Sequence, residues 1–574
     1  MRLYLIVLFL AFYVNVFSQN SVTRFELSKG NETSTYFEAI DWWKKLEAAS
    51  PIVKMIEMGP TDADLPLHLI LVSTDRDFNI KTLKGKGKSI ILINNGIHPG
   101  EPDGIDASML LVKEIVENKY NLPSNVVLGI IPVYNIGGCL NRSNHYRVDQ
   151  NGPKEFGFRG NSENLDLNRD FIKCDSKEAL TFAKIFHYLD PEVFVDNHVS
   201  DGADYQHIMT LLTSQHKLGG EMDTFLSNQF EPTLYKLMKE KGYDLVPYVN
   251  HQAETPDKGW NAYWDSPRYS SGYTSLWSTF SFVPETHMLK PYKQRVESTE
   301  ALMKSFIEFT SAHTTEIIKM RKEVRKREEN QAQFPIIWKL DKSKVKEIEY
   351  KGYEATYKES KVSGLSRLYY DRTKPFVKNV PFYDNYVDSI SVRRPEAYII
   401  PQGWWKVIDR LKANNVTYRR LKRDTSIEVE WYKIESYQAL SRSYEGHHLN
   451  TRVQISIHTK IIHFRKGDYY IPLNQISNRF LIETLEPRGE DSYFAWNFFD
   501  PVLGQKEGFS DYHFEDIAAE YLKNNPELKE RLEKKRVTDS SFAKSANAQL
   551  DFVFQNSLYF EPAYLEYPVY RVVK

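Results

Sequence analysis

Apolar and polar positions follow two rhythms along the first three hundred residues. Short runs rich in Ile, Leu and Val at 67–72, 89–93, 126–133, 193–196 and 279–283 predict strands. Between them, helical spacing predicts helices over 34–48, 105–116, 177–189, 223–241 and 294–312. The first of these carries Tyr36, Phe37, Ile40, Trp43 and Leu46 behind an N-cap Ser34 and stops before Pro51. Strands alternating with helices over 34–313 imply an α/β fold: a mixed, mostly parallel sheet with helices on both faces. Residues 314–333 mix charges of both signs without a strong apolar stripe, which predicts a solvated helix linking two domains. From 334 the rhythm changes. Ile427, Val429 and Trp431, then Val453, Ile455 and Ile457, alternate with polar residues as half-buried antiparallel strands do. With helices near 404–411 and 514–522, residues 334–574 read as a second, strand-rich α+β domain.

Length agrees with two domains, since 574 residues exceed what one core usually organises. The 75 basic and 76 acidic side chains nearly cancel, so no overall field draws the chain to nucleic acid or an anionic membrane. Arg2 and the apolar run from Leu3 to Val14 read as a signal peptide over 1–18, too short to span a bilayer. A polar lead segment follows over 19–33, and the mature chain is expected to be exported, periplasmic or extracellular. Cys139 and Cys174 are the only cysteines, so one disulfide or two buried thiols are open alternatives.

Three predicted strands end in residues suited to metal chemistry. The strand at 89–93 runs into His98-Pro99-Gly100-Glu101, and that at 193–196 into Asn197-His198. Ligands bind at the carboxyl ends of strands in open α/β sheets. His98, Glu101 and His198 together offer two nitrogens and one oxygen to Zn²⁺ and leave a fourth position for water. Taken singly, each reads as well as an ordinary loop residue. Glu285, beyond the strand at 279–283, is placed to act as a general base, or is a surface carboxylate. The intervening segment holds Arg159, Asn168 and Arg169. Guanidinium groups bind carboxylates and stabilise oxyanions, although Asp166 and Asp170 offer plain salt-bridge partners.

In combination and order, HPGE, LDLNRDF, DNH and ETH resemble the zinc carboxypeptidases related to carboxypeptidase A, over roughly residues 35–312. The resemblance implies one Zn²⁺ per chain on His98, Glu101 and His198, with Glu285 as base and Arg159 polarising the scissile carbonyl. It implies that Asn168 and Arg169 hold the terminal carboxylate of a peptide or small amide. The family's mobile tyrosine has Tyr263, Tyr269 and Tyr273 as candidates, Tyr263 matching the family spacing best, and Arg268 offers a further anion contact. Asn135-Ile136-Gly137-Gly138 replaces the Asn-Pro-Asp-Gly of digestive members, which marks a divergent branch. Two other functions stay in view: a zinc amidohydrolase acting on cell-wall peptides or N-acyl amino acids, and an inactive surface protein binding glycan or peptide. His145, His207, His251, His447 and His448 have no role in the resemblance and read as exposed or core-satisfied histidines.

Overall fold

The computed structural model describes residues 22–213, 217–249, 251 and 254–573. The signal-peptide reading and the start of the lead segment lie outside these residues. Among the described residues no helix is long and apolar enough to cross a membrane.

The N-terminal portion is built on a nine-stranded sheet. Its strands are β1 (Val53–Pro60), β2 (Pro66–Val72), β3 (Ser89–Asn94), β4 (Val126–Ile131), β5 (Val193–Asp196), β6 (His198–Ser200), β7 (Met209–Thr213), β8 (Val246–Pro247) and, after the short β9 (Trp260–Asn261), β10 (Phe280–His287). The order is β1-β2-β4-β3-β5-β10-β7-β8, with β6 also pairing with β10. β4, β3, β5 and β10 are parallel neighbours, while β1-β2, β2-β4 and β10-β7 are antiparallel, so the sheet is mixed.

The continuous apolar runs have a direct cause. Ile91, Ile93, Val193 and Val195 face one core with the helices Tyr36–Ala49, Asp103–Val116 and Tyr292–Glu328. Ile90, Leu92 and Phe194 face a second core containing the helix Lys177–Leu189. With both faces buried, both sides of these strands are apolar except at their ends.

The structure departs from the sequence expectations at several boundaries. The first helix is capped by Thr35, one residue after Ser34, in a reciprocal capping box with Glu38. The helix expected over 223–241 is three pieces, Gly220–Phe225, a π-helical turn Leu226–Phe230, and Glu231–Glu240. Pro232, near the start of the last piece, cannot supply the N–H that a continuous α-helix needs there. The charged stretch after Thr314 is no separate solvated linker: it continues one 37-residue helix, Tyr292–Glu328. Ile317, Arg321, Val324 and Glu328 are buried on it, and Arg321 reaches Glu192 at 2.6 Å and Asp190 at 3.0 Å. Those ion pairs at the start of β5 dock a sequence that looks solvated by composition.

The strand-rich C-terminal portion begins with β11 (Gln333–Leu340), β12 (Lys346–Glu359), β13 (Ser366–Tyr383), β14 (Tyr386–Arg393) and β15 (Ala397–Ile400). It continues with β16 (Arg419–Arg420), β17 (Thr425–Ala439), β18 (Asn450–Phe464), β19 (Tyr469–Pro472) and β20 (Tyr570–Val572). β15 to β20 form one six-stranded sheet. The two portions interlock. β9 pairs with β13, and the second core continues from Phe171, Tyr273 and Trp277 into Phe480, Trp496 and Tyr567. The C-terminal portion therefore serves as a cover for one face of the main sheet.

Candidate active site

The site forms where β3, β5, β6 and β10 end or break. After Asn94 the chain turns through Gly96, whose φ of +66° favours glycine, and presents His98 and Glu101 before the helix Asp103–Val116. Gly104 in that helix's first turn is a close-packing position. A Cβ there would come within 2.4 Å of Asn95 Oδ1 and 2.6 Å of Asn197 Cβ. Asn94 Nδ2 donates to Asp196 Oδ1 (2.9 Å) and Asn197 Nδ2 to Asn95 Oδ1 (2.8 Å). These bonds tie the two ligand-bearing strand ends together.

His98, Glu101 and His198 are buried, and one ligand atom from each lies within 4.8 Å of the others. Each imidazole is held through Nε2 by a carboxylate: His98 by Asp166 Oδ1 at 2.9 Å and His198 by Asp196 Oδ2 at 3.0 Å. That leaves both Nδ1 atoms directed toward Glu101, 3.3 Å from Oε1 for His98 and 3.2 Å from Oε2 for His198. His98 Nδ1 makes no hydrogen bond although it is buried. Anchored imidazoles whose Nδ1 atoms converge on a carboxylate fit a divalent cation, and the donor set suits Zn²⁺. Burial alone would raise the Glu101 carboxyl, but the His98 and Arg147 charges hold it well below the ordinary range. Burial disfavours charge on His198, yet Asp196 holds its pKa well above the usual value.

Glu285 lies within β10 rather than beyond a strand end, paired in register with His198 of β6 and Thr210 of β7. Parallel partners project to the same face, so its carboxylate shares the face of His198. Burial pushes its pKa up to about 8, with His198 opposing and Glu101 reinforcing the rise. Arg159, half-exposed at the rim, donates from Nε to Asp166 Oδ2 (2.9 Å) and brings Nη1 to 3.4 Å from Glu101 Oε1.

Asn168 and Arg169 follow on a short 3₁₀ turn begun by the Asp166 side chain. Asn168 Oδ1 accepts from the Ser270 N–H at 3.1 Å. The Arg169 guanidinium lies over the Tyr269 ring, 4.4 Å from its centroid, and the Tyr269 hydroxyl is 2.7 Å from that of Tyr263. Tyr263, Tyr269 and Arg169 thus form one cluster. Beside it is a cavity of ≈ 430 Å³ walled by Tyr263, Trp264, Arg268, Tyr269, Tyr386 and Glu490.

Two expected residues are placed otherwise. Tyr273 is fully buried in the second core, its hydroxyl bonded to Asn414 Oδ1 at 2.5 Å. Facing Phe171, Phe182 and Phe186, it is a core residue. Arg268 reaches the cavity wall but is spent on buried Asp491, at 2.8 Å from both Nε and Nη2. Cys139 and Cys174 are both buried and free.

Sequence reasoning missed three residues. Arg147 donates to Glu101 Oε1 (2.7 Å) and to the Val199 carbonyl (2.9 Å), bridging two ligand loops. Tyr444 accepts from Arg169 Nε at 3.0 Å, and Glu445 Oε2 accepts from the Asp166 N–H at 2.8 Å. No local pattern marks any of them; they reach the site only through long-range folding.

A buried His-Glu-His centre at the strand ends of a mixed α/β sheet, with the Glu285 carboxyl on the face of His198, has the donor set of a divalent-cation site. Residues 39–215, less than half of the chain, match the zinc carboxypeptidase family model. No curated protein matches the sequence. Among solved structures, the chain is similar to a metallo-carboxypeptidase from Burkholderia cenocepacia, at 17% identity over 48% of this chain and 68% of that one, with a TM-score of 0.36. It is also similar to carboxypeptidase A from Helicoverpa armigera, at 14% identity over 49% and 74%, with a TM-score of 0.38.

Proposed function

We propose that the protein is an exported carboxypeptidase that holds one Zn²⁺ on His98, Glu101 and His198 and releases the C-terminal residue of a peptide. The observation that carries this reading is the pair of carboxylate-anchored imidazoles whose Nδ1 atoms converge on Glu101, one cluster away from Arg169. A bound Zn²⁺ would lower the pKa of a coordinated water to roughly 7 and polarise the scissile carbonyl. Glu285 takes the proton as water attacks and delivers it to the leaving amine. Arg159, at the rim beside Glu101, stabilises the developing oxyanion. Asn168 and Arg169 hold the substrate's terminal carboxylate, with Tyr263 next to them. Asp166 and Asp196 orient the ligands, and Arg147 fixes Glu101.

The test is elemental analysis of the purified mature protein combined with release of C-terminal amino acids from a mixed peptide library, for wild type and Glu285→Gln. The expected result is about one zinc per chain in both proteins, with amino-acid release from wild type and almost none from the variant. Zinc without release would replace peptides by cell-wall or N-acyl substrates. Absence of zinc after reconstitution, with tight glycan or peptide binding, would replace the enzyme by a binding protein.

A further inference from the structure

The loop joining β17 to β18 crosses from the C-terminal portion onto the candidate carboxylate-binding end. Its tip is a two-residue turn: Tyr444 and His447 exchange backbone hydrogen bonds of 2.7 and 3.0 Å around Glu445 and Gly446. Both central residues have positive φ, 50° and 79°. Glycine adopts this readily, whereas glutamate is strained there and persists only where surroundings hold it. Here they do. Glu445 Oε2 accepts from the Asp166 N–H, His447 Nε2 lies 2.7 Å from Asp175 Oδ2, and the Tyr444 ring stacks on Trp496 at 6.2 Å.

We propose that Tyr444 is a positioning residue for substrate recognition: its hydroxyl fixes the Arg169 guanidinium so that Nη2 meets the substrate's carboxylate. This inference rests on the carboxypeptidase reading above. The contacts of Arg169 carry it. Nε donates to Tyr444, Nη1 donates to the Asn168 carbonyl at 2.9 Å, and the Tyr269 ring supports one face. Among the described residues, Nη2 has no hydrogen-bond partner. A guanidinium held on three sides loses little freedom when it binds, which favours a planar carboxylate over a neutral amide. Glu445, clamping the Asp166 backbone, ties the same tip to the aspartate that orients His98. The strand-rich portion thereby reaches Asp166 and Arg169 through this hairpin, and exclusion of substrates lacking a free carboxylate depends on it.

The test uses the full-length, zinc-reconstituted chain. Affinities for N-acetyl-L-phenylalanine and for its amide are measured by calorimetry, alongside kcat and KM for release of phenylalanine from an N-acylated dipeptide. Tyr444→Phe removes one oxygen and leaves the ring on Trp496; Glu445→Gly relaxes the turn while removing the clamp. Wild type is expected to prefer the acid. Tyr444→Phe is expected to reduce that preference about tenfold and to raise KM by a similar factor, with kcat and melting temperature nearly unchanged. Glu445→Gly is expected to reduce the preference to a smaller degree. A wild-type preference retained in full by both variants would overturn the role of the hairpin while leaving the carboxypeptidase reading intact. Equal binding of acid and amide by wild type would instead remove the carboxylate site on Arg169, and the hairpin's role with it.

Discussion

Asp166 shows how much one side chain carries. It bonds His98, pairs with Arg159, caps the turn bearing Asn168 and takes Glu445 on its backbone N–H. Burial alone would raise its pKa, but the charges of His98, Arg159 and Arg169 hold it far below the ordinary range. Asp166→Asn keeps the shape and removes the charge, and should weaken zinc binding about 10- to 100-fold, as read by competition with a chelator. Glu285 behaves in the opposite way, because burial raises its pKa. A general base works only when ionised, so kcat/KM should climb through an acid limb above the ordinary glutamate range of about 4.3. A pH–rate profile reads this directly, and a limb at or below 4.3 would remove Glu285 from the role. His98, Glu101, His198 and Glu285 were legible because their motifs are local. Arg147 was not, since its partner Glu101 is 46 positions away in the chain.

At the scale of elements, β10 and the helix Tyr292–Glu328 gave the clearest departures from the sequence pattern. Proline usually argues against a central strand because it lacks an N–H, yet β10 runs through Pro284, past the end at 283 that the apolar run predicts. In the sheet, Pro284 falls between the register pairs Phe282↔Val195 and Glu285↔His198, opposite the break between β5 and β6. The parallel ladder needs no donor there, so β10 continues and carries Glu285 inward. For the helix, composition implied solvent where ion pairs imply docking. Arg321→Met would leave Glu192 and Asp190 short of a partner and should cost about 3 kcal/mol, measured by urea unfolding. Tyr273→Phe loses the bond to Asn414 and a longer one to His187 Nε2 and should cost about 1 kcal/mol without changing KM. A changed KM would return Tyr273 to the active site.

For the whole molecule, the shared second core predicts that the N-terminal portion does not fold without its cover. A chain ending at Glu329 would expose Trp277, which stacks on Phe480 at 5.3 Å, together with Phe171 and Tyr273. It should aggregate or lose its near-ultraviolet circular dichroism, and a monomeric, zinc-binding fragment would refute this. Acid sensitivity follows from two buried histidines. His207 accepts from the Lys351 N–H and contacts the Asp244 carbonyl; His287 accepts from the Leu289 N–H and contacts the Ala203 carbonyl. Each is thereby held neutral. Burial lowers their pKa values from 6.5 to about 4 and about 3 respectively. A depressed folded pKa means that the unfolded chain binds protons first, so this stability is present above pH 6.5 and is lost as pH falls through the folded values. At about 1.4 kcal/mol per unit, His207 alone should contribute roughly 3 kcal/mol of that loss. Urea unfolding at successive pH values checks it, and His207→Gln should flatten the slope.

By itself the sequence determined the alternation of buried strands and amphipathic helices, the order of the ligand-bearing motifs and the kind of metal they suit. Those properties depend on residues a few positions apart, where period and turn chemistry act. Only the tertiary structure decided that β10 runs past Pro284, that the charged helix is docked, that Tyr273 is core, and that Arg147, Tyr444 and Glu445 reach the site. The physical reason is common to all of them: each outcome depends on a partner distant in sequence, and a long-range ion pair, hydrogen bond or packing contact leaves no periodic trace in the chain.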